Sequence, residues 1–182
     1  CVFGTESTPA TFVNEDGTLL VCPTPRHAPG TQTLSLRPSY AGANLQTSTF
    51  TFTFLKTLFI ADSATSNILR FYLVNASFVD VFILAGEGGL KRPWGLSFGP
   101  DQNFYVANEG TSSVLQYHGM TGAFIQDFCR VSGSPRGLAF LHNDLYVVSA
   151  RDAKVYRFNG LTGSPKGVYA DMVGFKMPFK IL

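Results

Sequence analysis

Three stretches decide the fold: Phe59-IADSATSNILR-Phe71, Tyr105-VANEGTSSVLQ-Tyr117 and Tyr146-VVSARDAKVYR-Phe158. They align without a gap, 46 and then 41 positions apart, and each reads as an apolar run, a polar turn and a second run ending on an aromatic. That is a β-hairpin written three times. A second ladder keeps the period: Pro93-WGLS-Phe98, Pro135-RGLA-Phe140 and the weaker Pro178-FKI-Leu182, at offsets of 42 and 43. Gly119-MT-Gly122 matches Gly160-LT-Gly163 at an offset of 41. Four short strands in a unit of roughly 40 to 46 residues is the pattern of a propeller blade, so residues 57–182 read as about three blades of an incomplete ring.

Residues 1–56 carry no such period. Turn signals at Asn14-ED-Gly17, Pro23-T-Pro25, Ala28-P-Gly30 and Ala41-Gly42 separate short runs at Ala10–Val13, Thr18–Cys22, Thr31–Arg37 and Ser48–Phe54. In the last run Thr49, Thr51 and Thr53 alternate with Phe50, Phe52 and Phe54. This period of two predicts a strand with one buried face and one that can meet water. No segment shows helical periodicity over a useful length, and a small antiparallel sandwich is expected. Phe54-LKTL-Phe59 joins the two parts without a Gly/Ser- or Pro-rich linker, which predicts rigid coupling and suits a rod or a fixed platform.

Composition agrees with an all-β chain. Of 182 residues 45% are hydrophobic and only 14% charged, well under the roughly 25% of an average domain, which excludes a disordered chain or a coiled coil. Seventeen Phe against three Met favour sheet over helix. A net charge of +2 without a basic cluster gives no footprint for nucleic acid or an anionic bilayer. No run of about 18 apolar residues predicts membrane insertion in this segment. The chain begins at Cys1, with neither an initiating Met nor a signal segment, and is expected to be processed or part of something longer.

The stretch Lys91-RPWGLSFGPDQNFYVA-Asn108 resembles the NHL and lactonase-like β-propellers, whose blades read as a Pro-x-Gly-Leu strand, a Gly-Pro-Asp-Gly-Asn turn and an aromatic-Val-Ala-Asp strand. The resemblance covers residues 57–182. It departs at Gln102, where the turn glycine is usual, and at Asn108 and Ser149, where the strand-ending Asp seen at Asp62 is usual. In residues 1–56, Cys1-VF-Gly4, Ala10-TF-Val13, Leu20-VCPT-Pro25, Gly30 and Phe50-T-Phe52 look like an IPT/TIG domain, an immunoglobulin-like module of extracellular receptors and surface proteins. Strands that normally precede the Cys-x-Phe-Gly strand are missing, so a partial Ig-like β-sandwich is expected. At the other end, closed propellers need at least four blades. Either more chain follows Leu182 or other copies complete the sheet.

Cys1 and Cys22 fall where cysteine-containing IPT/TIG members form a disulfide, which would mark an oxidising compartment; the alternative is two reduced core thiols. Cys129 matches the apolar Ile83 and Ala170 and is expected to be a buried, inert thiol, with a bond to a further segment as the alternative. Asn75-Ala-Ser77 is the only N-glycosylation sequon, and its match to Thr121 and Thr162 places it at a hairpin tip. Metal-dependent propeller hydrolases gather carboxylates and amides at the axial mouth; the candidates are Asp62, Asn108, Glu109 and Asp152, against the plainer expectation that such residues hold their own turns. His27, His118 and His142 lack metal-ligand spacing, and Gly86-EG-Gly89 is a turn rather than a phosphate loop. Trp94 shares its repeat position with Arg136 and Phe179, which predicts packing between blades before a ligand-stacking platform.

The reading that follows is a non-catalytic extracellular or cell-surface protein without cofactor or metal. It is expected to act as a structural or adhesive element of a surface, matrix or filament assembly. Its partners are other protein chains, either copies of itself or further segments of a longer chain, with a glycan at Asn75. The alternatives are a lactonase-like metal-dependent hydrolase and a ligand- or glycan-binding propeller.

Overall fold

The computed structural model describes the backbones of Val2–Phe3 (β1), Glu6–Ser7 (β2), Thr11–Phe12 (β3), Leu20–Val21 (β4), Gly30–Leu36 (β5) and Ser48–Phe54 (β6), and residues 57–172 and 174 with their side chains. The chain divides into two compact units, residues 1–56 with Leu73–Asn75, and residues 57–72 with 76–182.

In the first unit β2, β1, β5 and β6 form one antiparallel sheet in that order, and β3 pairs with β4. The two long strands pair along their whole length, Gly30 opposite Phe54 and Leu36 opposite Ser48. The alternating Thr and Phe of residues 48–54 thus occupy a strand, as β-branched and aromatic residues favour. Cys1, Cys22, His27, the turns at 14–17, 23–25 and 41–42, the junction residues 55–56 and the segment 178–182 lie outside the described residues.

The second unit holds β7 (Thr57–Asp62), β8 (Asn67–Tyr72) and β9 (Phe78–Ile83) in one sheet. A second sheet contains β10 (Pro93–Phe98), β11 (Phe104–Asn108), β12 (Ser113–Tyr117) and β13 (Phe124–Arg130). A third contains β14 (Pro135–Leu141), β15 (Asp144–Ser149), β16 (Lys154–Asn159) and β17 (Pro165–Asp171). All are antiparallel meanders. The repeat spacing is also the structural spacing: Phe59 sits opposite Arg70, Tyr105 opposite Gln116 and Tyr146 opposite Arg157. A β-bulge recurs just past Ile68, Val114 and Val155, whose partners are Ile83, Cys129 and Ala170. Those are the three positions the repeat equates. Four strands per unit are expected; the first sheet has three among the described residues, because β6 pairs with β5.

Period-two alternation assigns each face of the second sheet to a different neighbour. Phe104, Val106, Leu115 and Tyr117 pack with Ile68, Phe82, Ile83 and Leu90 of the first sheet and its exit loop. Tyr105, Ala107 and Val114 turn the other way, onto Leu138, Leu145 and Val147 of the third. Every residue of β11 and β12 is buried. Aromatic edges fill the seams, with Phe59 and Phe82 centroids 4.8 Å apart in one and Tyr105 and Phe140 also 4.8 Å apart in the other.

The glycine of Pro-x-Gly-Leu has a steric cause. The edge strands β10 and β14 lie side by side, and a Cβ on Gly95 would stand 2.5 Å from the Arg136 carbonyl oxygen. Gly122 and its repeat partner Gly163 do similar work farther out, with φ of +73° and +71°. A Cβ there would come within 2.3 and 2.1 Å of the carbonyl oxygens of Phe82 and Phe128 on the preceding sheet. Gln102, a non-glycine residue, adopts a left-handed conformation at φ 67°, one that glycine takes without steric cost. Gly95→Ala is expected to force β10 and β14 apart and to lower stability by about 1–3 kcal/mol, read as an earlier urea midpoint with an unchanged m-value.

Candidate functional site

Because neighbouring strands are antiparallel, the turns β7–β8, β11–β12 and β15–β16 emerge at the same end of their sheets as the connections entering β10 and β14. The four residues expected at an axial mouth all lie at this end, but they do different jobs. Asp62 closes its own turn: one carboxylate oxygen accepts from the backbone N–H groups of Ala64 (3.0 Å) and Thr65 (3.1 Å), the other from the Thr65 hydroxyl (2.6 Å). The Thr65 hydroxyl bond leads the causes that hold its carboxyl below the ordinary range. Asn108 is fully buried and ties a turn to a neighbouring loop. Its Oδ1 accepts from Lys91 N–H at 2.7 Å, while Nδ2 donates to the Gly89 carbonyl at 3.0 Å and to Thr111 Oγ1 at 2.5 Å. Asp152 accepts from the Tyr156 hydroxyl at 2.9 Å.

Glu109 is the centre of a charged cluster that links adjacent sheets at this end. Its Oε2 accepts from the Trp94 indole N–H at 3.0 Å and pairs with Arg92 at 2.8 Å, and its Oε1 accepts from Arg136 at 3.0 Å. The Arg136 guanidinium also lies over the Trp94 ring, 4.4 Å from its centroid. The sequence places Trp94 and Arg136 at one repeat position; adjacency of β10 and β14 makes that a stacked pair, as the packing expectation requires. Burial alone would raise the Glu109 carboxyl, but the Trp94 and Arg136 hydrogen bonds and the two arginine charges outweigh it and leave it below its ordinary value. A carboxylate so committed is poorly suited to give up a proton as a general acid or to spare lone pairs for a metal.

Among the described residues, no group of three or more His, Cys, Asp or Glu is placed to hold a metal ion. His118 accepts from the Thr121 N–H within its own turn, and His142 sits in a left-handed turn at φ 55°. Gly86–Gly89 folds as a single tight turn ahead of β10. Cys129 is buried in the seam between the second and third sheets, and burial, with the charge of Asp127, pushes its thiol up to about 12. Asn75 is exposed in the turn between β8 and β9.

Composition and spacing gave no warning of two further polar clusters. Asp101 receives Asn103 N–H (3.1 Å), the Tyr105 hydroxyl (3.0 Å) and Gln116 (2.9 Å), fixing the β10–β11 turn to the sheet. Asp144 pairs with Arg157 and Lys166 across β15, β16 and β17. A readable signal for the Glu109 cluster did exist, since its repeat counterparts Ser63 and Ala150 carry no charge.

No protein-family model matches the sequence, and no curated protein matches it. Among solved structures the chain is similar to the WD40 repeats of RRP9, with a TM-score of 0.51 and 17% identity over 62% of this chain and 34% of that one. It is similar to hydrazine synthase of Kuenenia stuttgartiensis, with a TM-score of 0.55 and 15% identity over 68% and 34%. A protein of unknown function from Bacteroides thetaiotaomicron gives a TM-score of 0.50 and 20% identity over 69% and 38%. The chain spans about a third of the length of these structures. At such identities the likeness is one of fold alone: an all-β chain of propeller-like antiparallel sheets.

Glu109→Ala strips Arg136 of its buried counter-charge and is expected to cost about 2–4 kcal/mol in chemical denaturation. With its carboxyl lowered in the fold, Glu109 contributes stability that is complete above its unfolded pKa and is lost as pH falls through the folded value. The variant should therefore show a shallower loss of stability on acidification. Cys129, protonated and enclosed, is expected to react with a thiol reagent only at the rate of unfolding, so labelling of the native protein should accelerate steeply across the urea transition.

Proposed function

We propose that this chain is a non-catalytic extracellular structural or adhesive element, an IPT/TIG-like module ahead of NHL-like propeller blades. It works at a cell surface, in a matrix or in a filament, in association with other protein chains. The observation that carries this reading is the occupation of the mouth residues. Asp62 is spent on its turn, Asn108 on bridging two loops, and Glu109 on two arginines and an indole. These are bonds that stiffen a scaffold. The exposed position of Asn75 supports a carbohydrate at that hairpin tip, and Cys1 and Cys22 supply the thiols for the disulfide that the IPT/TIG likeness implies.

Peptide mapping of native material, with antibody labelling of unpermeabilised cells, tests the proposal. The expected result is surface labelling, a glycan mass on the Asn75 peptide that is removed by an N-glycosidase, and a Cys1–Cys22 linked peptide. Unmodified Asn75 together with reduced cysteines in an intracellular fraction overturns it, as does metal-dependent hydrolysis abolished by Asp62→Ala.

A further inference from the structure

Asn159-Gly160 is the only Asn-Gly pair in the chain. Glycine has no Cβ to hinder its nitrogen or restrict its backbone, so in a free chain this pair rearranges readily. The Gly160 nitrogen attacks Cγ of the Asn159 side chain, a C–N bond forms, and the side-chain amide leaves as ammonia, taking the proton from that nitrogen. Water then opens the five-membered succinimide at one carbonyl to give aspartate, or at the other to give isoaspartate. No oxidant or reductant takes part. The fold restrains every participant. Asn159 ends β16 and Gly160 opens the turn to β17. The Gly160 N–H donates to the Asn143 carbonyl of the β14–β15 turn at 2.7 Å, which keeps the nucleophile protonated and engaged. Gly160 is buried there, so close that a Cβ would stand 2.9 Å from the same oxygen. Asn159 Oδ1 accepts from the N–H groups of Leu161 at 2.9 Å and Thr162 at 3.0 Å. Its own N–H donates to the Ser164 carbonyl at 2.8 Å, and its carbonyl accepts from the Gly163 N–H at 2.9 Å.

We propose that Asn159 is a latent deamidation site, closed while the tip of the β16–β17 hairpin is seated on the β14–β15 turn and reactive whenever that tip lifts. Hairpin tips belong to the parts of a fold that open most easily, well before the sheet beneath them. The same seating recurs one sheet earlier, where a Cβ on Gly119 would come 1.9 Å from the Gln102 carbonyl oxygen. There the preceding residue is His118, so of the two seated tips that of the third sheet alone carries the reactive pair. The two products differ in consequence. Aspartate keeps the oxygen that the Leu161 and Thr162 N–H groups need. Isoaspartate lengthens the main chain by a methylene, so Phe158 loses its register opposite Pro165 and the tip no longer reaches Asn143. A transient opening is thereby made permanent.

Incubation of the 182-residue chain at neutral pH, followed by peptide mapping that separates asparagine, aspartate and isoaspartate at position 159, tests it. A synthetic peptide of residues 157–163 supplies the unrestrained rate. The folded chain is expected to react roughly a hundredfold or more slowly than the peptide, and at the peptide's rate in urea beyond the unfolding transition. In urea well below the transition, the rate should rise less steeply than the global m-value requires, because only the tip has to open. Asn159→Asp is expected to keep the parent's urea midpoint, since it retains the acceptor. A folded chain that reacts within about threefold of the peptide overturns the proposal, since the seating then protects nothing. A rate that follows the global m-value also overturns it, placing the gate in unfolding of the whole sheet. A large fall in midpoint for Asn159→Asp would overturn the assignment of the damage to isoaspartate. None of these results bears on the Asn75 glycan or the surface labelling, so the proposed function stands or falls separately.

Discussion

The structure of residues 57–172 depends on one requirement: a strand in the middle sheet must bury both of its faces, each against a different neighbour. In β11 the alternation of Phe104 and Val106 with Tyr105 and Ala107 meets it, and β12 answers with Leu115 and Tyr117 on one side and Val114 on the other. Buried area of this kind is the main favourable term in folding, and it is available only when register is kept. A slip of one residue would bring Tyr105 to the seam that Phe104 fills and break every facing pair. The shared register of the three hairpins, and the bulge at the same repeat position in each, are the means by which that register is held.

Polar residues then specify how the buried sheets meet at their ends. Asn108 and Glu109 are consecutive in the chain and serve different purposes, one satisfying two backbone groups of the loop that enters β10, the other holding together side chains from two sheets. Buried groups of this type are costly unless fully partnered, and here each has its partners. Such fastening trades chemical freedom for rigidity.

Much of this was legible in the sequence because repetition multiplies a weak signal. One alternating pentapeptide is ambiguous between strand and buried helix, whereas three in the same frame, each followed by Pro-x-Gly at the right distance or by its weaker echo, are not. The repeat also places Ile83, Cys129 and Ala170 at one position, the position that sits beside the bulge in each sheet. What it could not supply is contact between elements that the period does not relate. Glu109 reaches Arg136 across a sheet boundary, and Asp144 meets Lys166 from strands with no strand between but β16. Pairs of that kind depend on where side chains end, not on spacing. Sequence reasoning offered Asn108 and Glu109 as candidates for one mouth, against the plainer expectation that they hold their own turns; burial of the first and the arginines around the second give them separate roles.

The bulge shared by all three sheets carries an implication for how such a chain changes in length. Cutting at one bulge and rejoining at the equivalent bulge of another sheet removes or adds a whole sheet while leaving the hydrogen-bond frame and the facing side chains in step. Each sheet is in that sense an interchangeable part. Recombination between copies within the gene would thus yield longer or shorter arcs that still fold, and the length of the arc would be inherited as a number of repeats rather than as a new set of contacts.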